Sequence, residues 1–84
     1  MTKTFAVASF TNDMAFLVTV DEADYEKAKE ICAEGFARWF NVEEYPEYHD
    51  VGYAEPSMWM MDEVGIKYEI DDYPEEGFDG EIVE

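Results

Sequence analysis

Residues 4–20, TFAVASFTNDMAFLVTV, decide the fold. Two runs rich in Phe, Val, Ala and Thr, Thr4–Phe10 and Ala15–Val20, flank the polar, turn-forming Thr11-Asn12-Asp13, which is the pattern of a β-hairpin. The period of two puts Phe16, Val18 and Val20 on one face and Leu17 and Thr19 on the other. A hairpin with one apolar face needs a layer to cover it, and the next segment supplies one.

Asp21 stands where a helix N-cap should stand, with Glu22 and Asp24 placed to complement the helix dipole. Tyr25, Ala28, Cys32, Phe36 and Trp39 then recur at three- and four-residue steps, so the spacing predicts an amphipathic helix over residues 22–40. Gly35 inside it costs about 1 kcal/mol relative to Ala, which points to close approach of another backbone. Residues 41–55, with Pro46 and Gly52, read as a loop. Pro56 in a first turn and Gly65 as a C-terminal stop predict a short helix over residues 56–64. Ile66, Tyr68 and Ile70 alternate with charged residues as a half-buried strand does. Residues 72–84 hold Pro74, Gly77 and Gly80 among six acids, the composition of a flexible or partly docked tail.

The expected architecture is therefore a single α+β domain over residues 1–71 in ββααβ order. Its sheet is three-stranded and mainly antiparallel, with both helices on one face, and an acidic tail follows. A chain of 84 residues supports one core. The single Cys32 cannot form an internal disulfide, which suits a reducing cytoplasm. No apolar run approaches the roughly 20 residues of a membrane span. Thr11-Asn12-Asp13 interrupts the N-terminal apolar stretch before it resembles a signal sequence, so the mature chain is expected to begin near Met1.

Charge dominates the composition: 22 acids against 5 bases give a net charge of −17. Residues 1–42 carry 7 acids and 4 bases, a net −3, whereas residues 43–84 carry 15 acids and 1 base, a net −14. In the first helix Glu34 precedes Arg38 by four residues and Glu26 precedes Lys29 by three, favourable surface pairs. The second half has no such compensation. A field of this sign repels nucleic acid and anionic membranes and attracts basic surfaces, so direct binding to DNA, RNA or phospholipid is not expected. Charge of this kind also serves plain solubility. Tyr45, Tyr48, Tyr53, Tyr68 and Tyr73 are interleaved with the acids, and a tyrosine ring can stack on a guanidinium while a neighbouring carboxylate pairs with it. Tyr68 and some of the others also read as core aromatics with their hydroxyls at the rim, the preferred reading for Tyr68 on its strand. The candidate partner-binding residues are Glu43, Glu44, Tyr45, Glu47, Tyr48 and Asp50, and Asp71, Asp72, Tyr73, Glu75 and Glu76.

Catalytic chemistry is not legible. Cys32 lies on the apolar stripe, where a thiol is inert, and His49 reads as a surface histidine. One Cys and one His cannot build a zinc quartet from nitrogen and sulfur alone. Aligning Gly77 with the calcium-loop glycine puts Pro74 at a ligand position and Val83 where a bidentate Glu belongs, which is not an EF-hand. There is no phosphate-binding glycine loop and no nucleophile elbow. The expectation is a protein with no enzymatic activity and no cofactor. In Ser57-Met58-Trp59-Met60-Met61, four consecutive large apolar side chains span more than one helix face. Either that helix is sandwiched, or Met58 or Trp59 is exposed to a partner or to a twin subunit in a homodimer.

In length, charge and the acid-tyrosine texture of Glu43 to Asp79, with Pro46, Gly65 and the strand GIKYEI at residues 65–70, the chain resembles the small acidic inhibitors of phages and mobile elements. These include DNA-mimicking anti-CRISPR and anti-restriction proteins. The resemblance implies an inert chain whose carboxylates stand in for phosphates and block a nucleic-acid-binding cleft. A CRISPR effector nuclease, which holds DNA in a basic channel, is the foremost target so implied. The other reading is a regulatory or assembly module of the antitoxin type, anchored by Met58 to Met61 and charged for solubility. A calcium buffer is a third class.

Overall fold

The computed structural model describes residues 1–83. Strands β1 (Thr2–Ser9) and β2 (Met14–Asp21) form the hairpin, in register from Thr2 opposite Asp21 to Ser9 opposite Met14. Asp13 closes the turn at φ 58°, a left-handed conformation that Asp tolerates better than most residues because its short polar side chain bonds locally. Asp21 caps the start of the helical segment, its Oδ2 accepting from the Ala23 amide at 3.0 Å. The chain makes one 3-10 turn, Glu22–Asp24, before helix α1 (Tyr25–Phe40). Helix α2 spans Glu55–Val64 and ends on Gly65 at φ 79°, where the Gly65 and Ile66 amides return to the carbonyls of Asp62 and Met61.

Phe5, Val7, Phe16, Val18 and Val20 from the sheet, Tyr25, Ala28, Cys32 and Phe36 from α1, and Met61 and Ile66 form one core. Burying each of the larger side chains contributes about 1.5–3 kcal/mol. Phe5 meets Tyr25 edge to face, with ring centroids 5.5 Å apart. Both helices contribute to this side of the sheet, but the closest neighbour of α2 is α1. A Cβ on Gly35 would lie 2.7 Å from the Ser57 amide nitrogen and 2.8 Å from its Cα, so the glycine sits where the two helix backbones meet. Ser57, fully buried, donates to the Cys32 carbonyl at 3.1 Å.

The sheet corrects the three-stranded expectation. Strand β3 (Tyr68–Asp72) pairs antiparallel with β2, and a two-residue β4 (Ile82–Val83) pairs parallel with β1, giving a four-stranded mixed sheet in the order β3-β2-β1-β4. Strand β3 starts two residues later than the alternation suggested, because Ile66 belongs to the α2 cap, and it runs through Asp72, past the boundary drawn at 71. Ala6 and Ala8 alternate with Phe5 and Val7 along β1 and are buried as well.

Three bonds hold the residue that leads into β4. The Glu81 carbonyl accepts from the Ala6 amide at 2.9 Å. Its carboxylate takes Lys29 Nζ at 2.7 Å and the Tyr25 hydroxyl at 3.3 Å. The Lys29 hydrogen bond holds the Glu81 carboxyl below its ordinary value, against the opposing effect of burial. A depressed carboxyl contributes stability that is present above the unfolded value, about 4.3, and is lost as pH falls through the folded one. Docking of β4 is accordingly expected to weaken in acid, and Lys29→Met should move that loss to higher pH. A carboxyl carbon-shift titration of Glu81 with amide exchange at Ala6 and Val83 would measure both. Identical titrations in wild type and Lys29→Met would refute the contact.

Candidate partner interface

The first acidic group lies on the loop after α1, which aromatic side chains hold from beneath. Trp39 Nε1 donates to the Val51 carbonyl at 2.8 Å, and the Tyr53 hydroxyl donates to the Ala15 carbonyl at 3.2 Å. Pro46–Tyr48 forms a 3-10 turn that buries Tyr48 to 8% exposure. Asn41 continues the cap of α1 and donates its side-chain amide to Glu44 at 2.9 Å. On this frame Glu43, Glu44, Glu47 and Asp50 are exposed.

Tyr45 is half-buried, and its ring is already used. The Arg38 guanidinium lies 4.9 Å from the ring centroid while its Nη2 pairs with Glu34 Oε1 at 2.7 Å. This is the ring, guanidinium and carboxylate arrangement expected of a partner contact, formed within the chain itself. Tyr45 stacks on Tyr48 with centroids 6.1 Å apart, and Tyr48 packs on Trp59 at 5.8 Å. Trp59 is 45% exposed whereas Met61 is fully buried, so α2 is not sandwiched at its indole. The structure thus joins Trp59 to the acidic loop. A sequence signal for its exposure existed: Glu55, Asp62 and Glu63 fall at i−4, i+3 and i+4 from Trp59, on the ridge facing away from Ser57 and Met61.

The second group is arranged differently. Asp71 and Asp72 are exposed at the end of edge strand β3, where charge also discourages another chain from adding to the sheet. Tyr73 is half-buried, packs edge to face on Phe10 at 6.0 Å, and accepts the Phe78 amide on its hydroxyl at 3.2 Å. Glu75 and Glu76 are exposed in a turn closed by the Gly77 amide on the Pro74 carbonyl, with Gly77 at φ 94°. Asp72, Tyr73 and Glu75 line an open cleft of about 430 Å³ together with Phe10, Asp13, Met14 and Tyr53. Tyr53 links this cleft to the first loop, and Asp13 adds a carboxylate that its role in the hairpin turn had hidden.

The bases are largely committed elsewhere. Lys3 lies over the Tyr25 ring at 4.1 Å, Lys29 pairs with Glu26 at 3.0 Å and with Glu81, and Arg38 pairs with Glu34. Among the described residues, Glu43, Glu44, Glu47, Asp71, Asp72, Glu75 and Glu76 make no ion pair, and Asp50 meets only His49 Nδ1 at 3.0 Å. Cys32 is fully buried with its Sγ 3.7 Å from Met61 Sδ, and burial pushes the thiol up to about 12, so it holds its proton and is a poor nucleophile. Among the described residues no three potential ligands from His, Cys, Asp and Glu come together as a metal site, and no helix is long and apolar enough to cross a membrane. Neither protein-family models, nor curated proteins, nor solved structures give a match to this chain.

Proposed function

We propose that this chain is a non-catalytic inhibitor that occupies the basic nucleic-acid-binding surface of another protein, foremost a CRISPR effector nuclease in a bacterial cytoplasm, and excludes DNA from it. The observation that carries the reading is the exposed carboxylates of Glu43, Glu44 and Glu47, which make no ion pair among the described residues, on a loop pinned by Trp39, Tyr48 and Tyr53. B-DNA presents one charge per about 1.7 Å of its axis, and a surface built to meet that density accepts a fixed carboxylate array in place of phosphates. Fixing the array beforehand also reduces the ordering cost of association. The exposed Trp59 favours a second reading, a regulatory module anchored on α2 whose charge serves solubility.

Competition separates the two. A guide-loaded effector nuclease, titrated with this protein in the presence of labelled duplex carrying its target site, should release the duplex. Binding of the protein should weaken as salt rises, with a shallower slope than that of the duplex, because a folded protein condenses fewer counterions than DNA. Simultaneous occupancy, with each affinity unchanged by the other, would discard mimicry and leave the regulatory reading in its place.

A further inference from the structure

We propose that the outer face of α2, centred on Trp59, is the anchor for an arginine side chain of the partner. This rests on the acidic-docking reading above and names the chemistry it recognises. Tyr48 supports the indole from one side, with ring centroids 5.8 Å apart and planes 38° apart, while 45% of the Trp59 surface stays open. Glu55, Asp62 and Glu63 fall at i−4, i+3 and i+4 from it on its own helix, Asp62 beside the Tyr68 hydroxyl, and among the described residues none of them makes an ion pair. An aromatic face with carboxylates one helical turn away on the same ridge attracts a cation twice, through the ring quadrupole and through charge. The chain uses the same chemistry internally, with Arg38 against Tyr45 and Glu34, and with Lys29 against Tyr25, Glu26 and Glu81.

Charge complementarity selects the occupant. A second copy would bring another −17 to this face, and a nucleic acid or an anionic lipid surface would meet the same repulsion. Arginine is favoured over lysine because its planar, weakly hydrated guanidinium stacks on an indole while its fork engages carboxylates.

The test uses the intact protein and nitrogen-labelled indoles. Trp39, whose Nε1 is bonded to the Val51 carbonyl, is an internal reference for Trp59. Titration with nona-arginine at low salt should shift the Trp59 indole resonance and leave that of Trp39 in place. Nona-lysine should bind about threefold to tenfold more weakly, and Trp59→Leu should lose nona-arginine affinity by a similar factor. Equal affinity for the two peptides, or an unchanged Trp59→Leu, would overturn the anchor. If the shifts gather at residues 43–50 or 71–76 while Trp59 stays still, the anchor falls and acidic docking survives. If neither peptide binds, both fall. The wild-type resonances decide the matter without reliance on the variant.

Discussion

Replacing Gly35 with alanine is expected to destabilise the protein by about 2–3 kcal/mol, although the same change in an exposed helix would stabilise it by about 1 kcal/mol. The added methyl would lie 2.7 Å from the Ser57 amide nitrogen and Oγ and 2.8 Å from its Cα. Two of these three atoms are backbone and cannot rotate aside, so α2 must move away from α1. That movement strains the Ser57 bond to the Cys32 carbonyl, worth about 1 kcal/mol, and loosens Met61 against Cys32. For a domain of this size, with a total stability of about 4–12 kcal/mol, the loss is a large fraction. Urea denaturation should show a lower midpoint with an unchanged slope. Adding Ser57→Ala should not rescue it, since the backbone atoms remain. A more stable Gly35→Ala protein would show that the helices do not need this close approach.

Reversing Glu43, Glu44, Glu47 and Asp50 to lysine is expected to weaken the complex with a basic target about 100-fold, through like-charge juxtaposition worth a few kcal/mol. Each reversal adds two charges, so the four take the chain from −17 to −9. The fold should survive, because all four side chains are exposed and only Asp50, beside His49, has an ion-pair partner among the described residues. The melting temperature should hold or rise slightly as self-repulsion falls. The control must avoid Glu26, which is bonded to Lys29; Glu22 and Glu30 are exposed acids on the −3 half and should matter far less per charge. Calorimetric titration of each variant against the target decides the outcome. Equal losses from loop and control reversals would reduce the loop to bulk charge, and no loss from either would end the docking model.

How much was legible depends on where the information lies along the chain. The faces of the hairpin, the stripe from Tyr25 to Trp39, the Asp21 cap, the Gly65 stop and the crowding at Gly35 all express periodicity or backbone stereochemistry within a few residues, and the structure carries each of them. The burial of Cys32 was legible for the same reason. Asp71, Asp72, Glu75 and Glu76 could be named as exposed acids, but nothing local told that Tyr73 would be tied to Phe78 and Phe10.

By itself the sequence determined an α+β domain with one amphipathic helix on a hairpin, and a charge imbalance held in its second half. Tertiary structure alone decided that Ile82 and Val83 join β1, since a two-residue strand has no period and its pairing partners lie some 76 residues away. It decided that Arg38 covers Tyr45, that Trp59 meets Tyr48, and that Asp13 shares a cleft with Asp72 and Glu75. Each of these is a contact between segments that only chain closure brings together, and its energy depends on a distance that no local pattern encodes.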